Sequence, residues 1–308
     1  MKIHHELEAP STDRPLVVAI GFFDGLHRGH REIVRTLLRL RKPGYRAAVL
    51  TFRNHPATFL RPANVPPLLT TVEERVNLLA STGIDELFLI PFDERIARMD
   101  ATAFLADELA GRLGARALAI GENFRFGHLR AGDPDLARRV LGERGIAVAA
   151  VPPVLDGGER ISSTRIRAAL LAGDTATADR LLGAAYTVRG HVALGAGRGH
   201  DLGFPTANLV VPAGKTLPCD GVYAIVGRHE GRDYNGLVSI GTNPTFDGTA
   251  RTVEAWLLDF QLTVYGEEIA LRDFRFIREQ RRFADVESLL AQMRDDAEHA
   301  RFPSFSTT

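Results

Sequence analysis

Strand-like apolar runs alternate with helix-like amphipathic stretches from residue 16 to about residue 182. This alternation is typical of a parallel sheet with helices packed on its faces. Helix starts are marked by Thr71 with Glu74, a predicted capping box, and by Asp133 followed by Pro134. The predicted strands are residues 16–20, 47–52, 86–90, 115–120 and 146–151. We therefore expect an α/β domain with a parallel sheet, with any ligand at the carboxyl ends of its strands.

The pattern changes after Gly183. Residues 186–277 contain short β-branched and aromatic runs separated by Gly, Pro, Asn and Asp. This composition predicts an all-β unit, a small closed barrel. Apolar residues at helical spacing in 284–301 predict a C-terminal amphipathic helix that packs against the barrel. The expected fold class is α/β plus β, with domains at residues 1–184 and 185–308.

The charge balance restricts the classes of partner. The 308 residues include 38 basic and 38 acidic side chains, so no overall positive field attracts nucleic acid, and a small polyphosphate is the expected anion. The single cysteine, Cys219, cannot form an internal disulfide. The first residues lack a secretory-signal pattern, and no apolar run approaches the roughly 18 residues of a membrane span. We expect a cytoplasmic protein without nucleic-acid or membrane partners, and assembly into a homo-oligomer is left open.

The segment LVVAIGFFDGLHRGH, residues 16–30, is typical of a strand, a tight turn and a helix start. His27 and His30 are three residues apart, so both side chains can face one site. Alone, such a pair is more often two surface or structural imidazoles. A zinc site is a weaker alternative, because the chain has one cysteine and no HExxH or CxxC pattern. After an apolar strand, the motif is similar to that of the HxGH nucleotidyltransferases, whose imidazoles stabilise the α-phosphate of a nucleoside triphosphate.

Two polar segments follow other predicted strands. TFRNHP at 51–56 contains Asn54, and GENFRFG at 121–127 contains Asn123 between two glycines. Both amides can hydrogen-bond a nucleotide. Their positions after strands place them at the same edge of the predicted sheet as the two histidines.

The segment ISSTRIR, residues 161–167, predicts a helix start rich in phosphate ligands. Ser163 and Thr164 supply hydroxyls, and Arg167 follows in the first turns. With the free N–H groups of the helix, these side chains can hold a leaving pyrophosphate. The alternative is an N-capped surface helix with exposed arginines.

A glycine-rich stretch at 190–203 is the first dense motif of the second half. Its glycines let backbone amides approach phosphate, and Arg198 lies among them, between Gly195 and Gly203. A flexible cover over a polyphosphate is one interpretation, and a β-turn with a mobile link is the alternative.

The PTAN segment directly follows this stretch. Thr206 and Asn208 alternate with an alanine, so in an extended segment both point to one face. A hydroxyl and an amide oxygen there can hold Mg²⁺ together with phosphate oxygens. Glu254 lies among apolar neighbours in a predicted strand, where a carboxylate can act as the base for a substrate hydroxyl. An outward-facing strand carboxylate is the alternative.

Together these motifs resemble the bacterial bifunctional riboflavin kinase/FMN adenylyltransferase family, also called FAD synthetase, over nearly the whole chain. GFFDGLHRGH, TFRNHP, GENFRFGH and ISSTRIR resemble its adenylyltransferase module; PTAN and YGEEIALRDFRFIREQRRF resemble its kinase module. The resemblance implies a Rossmann-like nucleotidyltransferase domain followed by a small β-barrel kinase domain with a C-terminal helix. It implies ATP-dependent phosphorylation of riboflavin to FMN, then transfer of AMP from ATP to FMN, with Mg²⁺ at the phosphates.

The resemblance also implies residue roles. Catalysis is implied for His27, His30, Arg167 and Glu254, metal binding for Thr206 and Asn208, and flavin contact for Arg278 in a bordering loop. Nucleotide or phosphate binding is implied for Gly21, Phe22, Phe23, Asp24, Asn54, Asn123, Ser163, Thr164, Gly195, Arg198, Gly203 and Pro205.

Three residues depart from the family pattern. Asn123 stands where Asp is frequent, His200 where a second arginine is common, and Trp256 where a histidine often follows the glutamate by two residues. Alternatives are an enzyme with only one of the two activities, and a regulator that binds flavin or nucleotide without turnover. A tRNA-charging enzyme that shares the HxGH turn is disfavoured, because this interpretation accounts for none of the motifs after Gly183.

Overall fold

Two units of different architecture make up the chain, Met1–Ser163 and Thr164–Thr308. The computed structural model describes residues 1–8, 14–193, 204–242, 251–260 and 264–301. The first unit contains a parallel sheet with helices, and the second contains a closed antiparallel barrel, which confirms the predicted fold class. The domain boundary between residues 184 and 185 stays a prediction.

The sheet of the first unit is built from β1 (Lys2–His4), β2 (Leu16–Ile20), β3 (Arg46–Phe52), β4 (Glu86–Ile90), β5 (Ala115–Gly121) and β6 (Ala147–Val151). The strands are parallel and lie in the order β1-β4-β3-β2-β5-β6. The predicted strands are confirmed to within one residue at each end. The sequence does not predict β1, since a strand of three residues shows no period.

Alternate residues of β2 face two different cores. Leu16, Val18 and Ile20 belong to one cluster, and Val17 and Ala19 to the other. All are at most 2% exposed. Because both faces of a parallel sheet are covered, the strand is a continuous apolar run. The central strands are therefore a rigid base for the loops at their carboxyl ends.

The helices of the first unit are α1 (Arg28–Leu40), α2 (Ala57–Leu60), α3 (Val72–Ala80), α4 (Glu94–Arg98), α5 (Ala101–Ala103, continued by a π-helix at Phe104–Arg112) and α6 (Pro134–Gly142). A hairpin of β7 (Leu155–Asp156) and β8 (Glu159–Arg160) follows. Both predicted helix starts are confirmed. Thr71 and Glu74 form the capping box of α3, and Asp133 accepts the Leu136 N–H to cap α6.

The barrel of the second unit is built from β9 (Val188–Ala193), β10 (Ala207–Val210), β11 (Gly221–His229), β12 (Arg232–Thr242), β13 (Arg251–Leu257) and β14 (Glu268–Arg278). The strands pair antiparallel in the closed order β10-β13-β12-β11-β14-β9. A tight hairpin links two of these strands: Glu230 and Gly231 join β11 to β12 with φ of 45° and 79°. Positive φ at both central positions matches the twist of the flanking strands.

Three helices accompany the described strands of the second unit: α7 (Ser163–Leu171), which begins at the last residue of the first unit, α8 (Thr175–Leu182) and α9 (Val286–Ala300). The predicted C-terminal helix is confirmed, and Ala297 and Ala300 of α9 pack in one cluster with Leu237 and Val222. Val286 belongs to the predicted apolar stripe but is 52% exposed, because it lies in the first turn. No helix in the part of the chain that the structure describes has both the length and the apolar character needed to cross a bilayer.

Candidate active sites

The first site lies in the turn between β2 and α1. Phe23, Gly25 and Leu26 have φ of 56°, 76° and 40°. Left-handed backbone is costly for residues with a Cβ and persists only when the surrounding structure enforces it. A Cβ on Gly21 would lie 3.0 Å from the Phe23 ring, so glycine there lets the buried ring fold back beneath the turn. The turn therefore has a strained backbone that is held in place by the buried Phe23 ring.

His27 and His30 stack on each other in this turn. Their ring centroids are 3.6 Å apart with an interplanar angle of 17°. The His27 Nδ1 accepts the His30 N–H at 3.2 Å and thereby caps α1. A neutral ring that accepts at Nδ1 carries its proton on Nε2. In this tautomer His27 therefore carries its proton on Nε2.

Gly29 is the glycine that permits this stacking. A Cβ at this position would lie 3.1 Å from the Cε1 atom and 3.2 Å from the Nδ1 atom of His27. Such contacts are tighter than most real Cβ contacts, so the His27 ring would have to shift. The glycine of the HxGH motif is therefore required because a side chain at this position would displace the His27 ring.

The pKa of His30 lies well below the ordinary value for histidine. Burial is the largest cause, and the electrostatic effects of the adjacent His27 and of the Arg75 guanidinium add to it. The Nδ1 atom of His30 is buried without a hydrogen-bond partner. His30 is therefore neutral at pH 7.

Asp24 holds the turn from inside the protein. Its carboxylate is 2% exposed and accepts hydrogen bonds from the Leu69 N–H, the Thr70 N–H and the Thr70 hydroxyl. Its backbone carbonyl accepts the Ser163 hydroxyl at 3.0 Å. The structure therefore brings Ser163, at the start of α7, to the turn that carries the histidines.

Sequence reasoning missed Arg75. Its side chain on α3 is 1% exposed, and its guanidinium lies 4.3 Å from the centre of the Phe22 ring. Its signal in the sequence is one arginine in a helical pattern, which ordinarily indicates a solvated face. Only the tertiary structure shows that it points inward.

The other predicted residues of the first site have different surroundings. The Asn54 amide bonds the N–H and carbonyl of Phe92, so it joins the loops after β3 and β4. Asn123 is exposed in the turn after β5. Thr164 is exposed in the first turn of α7, and Arg167 lies one turn further along and is partly buried.

The second site lies on the barrel. Asn208 of β10 is the cross-strand partner of Glu254 of β13, and Glu254 is the partner of Ser239 of β12. These residues form one row across three strands, and directly opposite residues share a face of a sheet. Thr206 immediately precedes β10, two residues from Asn208. The structure thus brings the predicted metal ligands beside the predicted base.

Glu254 lies on the less buried face of β13, where it alternates with Val253 and Ala255, which are 3% and 1% exposed. Two residues further along this face, Trp256 makes an edge contact with Phe204, with ring centroids 4.8 Å apart. Phe204 directly precedes Pro205, which is exposed. Trp256 therefore packs against the start of the PTAN segment. Gly195, Arg198, His200 and Gly203 lie outside the described residues.

Side chains at and just after the end of β14 make further contacts in the second unit. Gln280 donates to the Ser239 hydroxyl at 2.7 Å. Arg278 is the last residue of β14 rather than part of a loop, which corrects that expectation, because the strand runs longer than its apolar pattern. Its guanidinium binds both carboxylate oxygens of the buried Asp296 on α9, at 2.7 to 3.1 Å.

Known proteins are similar to this chain along nearly its whole length. A family model described as FAD synthetase matches residues 9–165, and one described as riboflavin kinase matches residues 182–302. Bifunctional riboflavin kinase/FMN adenylyltransferases from Escherichia coli K12 and Listeria monocytogenes are 36% and 34% identical to it. These alignments cover 97% of this chain, and 95% and 96% of the relatives.

A solved structure agrees in fold. The crystal structure of a protein described as a macrolide-efflux protein from Streptococcus pneumoniae superposes with a TM-score of 0.88 at 32% identity. It covers 98% of this chain and 99% of that one. With both family models and the full-length relatives in agreement, the chain belongs to the bifunctional riboflavin kinase/FMN adenylyltransferase family.

Proposed function

We propose that the two activities of this transferase family belong to two domains, residues 1–184 and residues 185–308, with the residue roles derived below. The enzyme phosphorylates riboflavin with ATP to give FMN, and then transfers AMP from ATP to FMN to give FAD and pyrophosphate. The observation that carries the proposal is local assembly. His27 and His30 stack within the first unit, while Asn208 and Glu254 are cross-strand partners within the second.

Adenylyl transfer belongs to the domain of residues 1–184. A phosphate oxygen of FMN attacks the α-phosphorus of ATP, the bond to the bridging oxygen breaks, and pyrophosphate leaves without a covalent enzyme intermediate. His27 and His30 donate N–H groups to the α-phosphate oxygens as charge develops on them. The fixed Nε2–H of His27 supports this role, because a donor that needs no rearrangement is worth most in the transition state.

The start of α7 holds the departing pyrophosphate in this proposal. Ser163, Thr164 and the helix N–H groups bind its oxygens, and Arg167 neutralises its charge. The side chains of Phe22 and Asn123 line the nucleotide site, and Gly21, the buried Phe23 and Asn54 shape the loops around it. The Asp24 carboxylate is engaged within the protein, so Asp24 contributes to phosphate binding through the turn that it holds.

Phosphoryl transfer belongs to the second unit. Glu254 accepts the proton of the ribityl 5′-hydroxyl while the hydroxyl oxygen attacks the γ-phosphorus of ATP, and ADP leaves. The position of Glu254 opposite Asn208 supports this role, because the base then lies beside the phosphate ligands. Arg278 borders the flavin, Gly195, Arg198 and Gly203 cover the triphosphate, and Pro205 shapes the nucleotide site.

Thr206 and Asn208 fit a magnesium ion. Each supplies a neutral oxygen on a half-buried side chain, and oxygen ligands completed by phosphates are the usual magnesium environment. Bound there, Mg²⁺ neutralises charge on the transferring phosphoryl group. Among the described residues, no cluster of three or more His, Cys, Asp or Glu side chains could hold a metal.

The remaining assignments complete the proposal. The domains are residues 1–184 for adenylyl transfer and 185–308 for phosphorylation. The partners are ATP, riboflavin and FMN, without nucleic acid or membrane, and the state of assembly is left open. A cytoplasmic location is proposed because both reactions consume ATP.

One assay tests the proposal. The purified protein is given riboflavin, ATP and Mg²⁺, and FMN and FAD are separated and measured over time. We expect FMN first and FAD after it. A product mixture limited to FMN would support the single-activity alternative, and riboflavin bound without turnover would support the regulator.

A further inference from the structure

Arg75 has the largest side chain among the fully buried residues that the structure describes. Its Nη2 atom donates to the carbonyls of Phe52 at 2.6 Å and Arg53 at 3.2 Å, and its Nη1 atom to the carbonyl of Phe22 at 3.4 Å. Its Nε–H is buried without a partner. A buried guanidinium is thus held by backbone carbonyls.

These carbonyls lie just beyond or at the carboxyl ends of β2 and β3. Ligands of parallel α/β sheets bind at this edge. Carbonyl oxygens that point there carry partial negative charge and disfavour a triphosphate, whereas a cation that binds them offsets this charge. Arg75 therefore changes the electrostatics of the edge and fixes the backbone that leads into the turn.

Arg75 and Asp24 hold the same turn from two directions. Arg75 stacks on the Phe22 ring and binds the Phe22 carbonyl, which also accepts the Thr51 hydroxyl at 3.0 Å. Asp24 binds the backbone of Thr70, five residues before Arg75 in the chain. The start of α3 is therefore attached on both sides of Phe23, the first left-handed residue of the turn.

We propose that Arg75 is a positioning residue for adenylyl transfer, acting through the Phe22 carbonyl and ring to fix the turn that carries His27 and His30. This inference rests on the proposed roles of these two histidines. Arg75 touches neither substrate nor reacting atoms in this account. Its effect is on the geometry of the imidazoles and on the potential at the edge of the sheet.

The protonation of His30 gives the inference a measurable signature. Burial lowers the pKa of His30 most, and the electrostatic effects of the neighbouring His27 and of the Arg75 guanidinium lower it further. Burial lowers the pKa of Arg75 itself to about 10, with Asp24 opposing the shift, so Arg75 stays charged at pH 7. Removal of this charge raises the pKa of His30 and extends its protonated form to higher pH.

The test compares Arg75→Met, Arg75→Gln and Arg75→Lys in the full-length enzyme. Adenylyl transfer from ATP to FMN is measured as kcat and KM between pH 5 and 9, and riboflavin phosphorylation is measured on the same samples. For Arg75→Met we expect kcat to fall by about 10²-fold, the cost of a misplaced catalytic group. We expect the acid limb of its pH profile to move to higher pH, and riboflavin phosphorylation to be unchanged.

The two other variants separate charge from folding. Arg75→Gln removes the charge but can still donate to carbonyls, so its acid limb moves as in Arg75→Met. Arg75→Lys keeps the charge, so its acid limb stays at the wild-type pH and part of kcat is recovered. If Arg75→Met does not fold, the comparison of Gln with Lys carries the test. The control is Arg35→Met, the loss of an exposed arginine on the helix of His30, which should leave both activities unchanged.

The outcomes are distinct. An unchanged kcat in Arg75→Met and Arg75→Gln overturns the inference, as does an acid limb that stays at the wild-type pH in the charge-removing variants. His30→Ala is measured in parallel. Full adenylyl transfer in His30→Ala overturns the proposed function of the site instead, whereas its loss there with wild-type behaviour of the Arg75 variants overturns only the role of Arg75.

Discussion

The two sites are assembled by different means. The first depends on irregular backbone, with left-handed φ at Phe23, Gly25 and Leu26, and on buried polar contacts that hold it. The second uses the regular register of a barrel, in which Asn208 and Glu254 face each other because their strands pair. We therefore expect the site on the strained turn to be sensitive to small changes in side-chain volume. We expect the site on the paired barrel strands to be sensitive instead to changes in the functional groups of its side chains.

The largest expected effect breaks the second site. Glu254→Gln keeps the shape of the side chain but removes the base, so riboflavin phosphorylation should fall by about 10²- to 10⁴-fold. FAD formation from added FMN should be unchanged, since it belongs to the other unit. The measurement is FMN formation from riboflavin and FAD formation from FMN on one preparation. Glu268→Gln, on an exposed barrel carboxylate paired with Arg189, is the control, and unaltered phosphorylation in Glu254→Gln would place the base elsewhere.

The next effect breaks the first site. His30→Ala removes one donor to the α-phosphate and should reduce adenylyl transfer by about 10²- to 10³-fold. Riboflavin phosphorylation should stay at the wild-type rate. Steady-state rates of both reactions check this, with the exposed His5→Ala as the matched control. Loss of both activities in His30→Ala would contradict the independence of the two sites.

A smaller effect tests the sensitivity of the turn to volume. Gly29→Ala adds one methyl group against the His27 ring, which must shift by a few tenths of an ångström. We expect adenylyl transfer to fall by about tenfold, less than the cost of a full 1 Å displacement. The control is Gly142→Ala, where an added Cβ meets nothing within 4 Å. Equal rates in the two variants would show that the stacked geometry is not needed.

The smallest effect concerns pH and has opposite sign in the two units. His30 has a lowered pKa in the folded protein, so below a pH of about 6.5 the unfolded chain binds the extra proton and the first unit loses stability. Asp179 in the second unit has its pKa raised to about 6, chiefly by burial. Here the folded protein binds the extra proton, so the second unit gains stability as the pH falls from about 6 toward 4.

Thermal unfolding between pH 4 and 7 measures these effects. Asp179→Asn should raise Tm at pH 7, and its advantage over the wild type should shrink as the pH falls. Its amide oxygen can still accept the Tyr186 N–H, so that contact is retained. His30→Asn should reduce the loss of stability that the first unit shows as the pH falls. A gap between Asp179→Asn and wild type that is independent of pH would contradict the assignment of Asp179.

The sequence predicts regular structure well and inward-pointing polar residues poorly. The strands and the helix starts at Thr71 and Asp133 are local features, so period and cap residues identify them. The cross-strand pairing of Asn208 with Glu254 requires a register that no local pattern contains. The engagement of Asp24 and the burial of Arg75 also depend on segments about 45 and 53 residues away in the chain, which only the fold brings together. For the same reason, the motif of Arg278 predicts a flavin contact but does not predict its ion pair with Asp296, which depends on the packing of α9.

Complementation between the two single-site variants tests the separate assembly of the sites most directly. Glu254→Gln and His30→Ala are mixed in equal amounts with riboflavin, ATP and Mg²⁺, and FAD is measured against each variant alone. We expect Glu254→Gln alone to give almost no flavin nucleotide, His30→Ala alone to stop at FMN, and the mixture to form FAD. A mixture that forms no more FAD than the variants alone would contradict two independent sites.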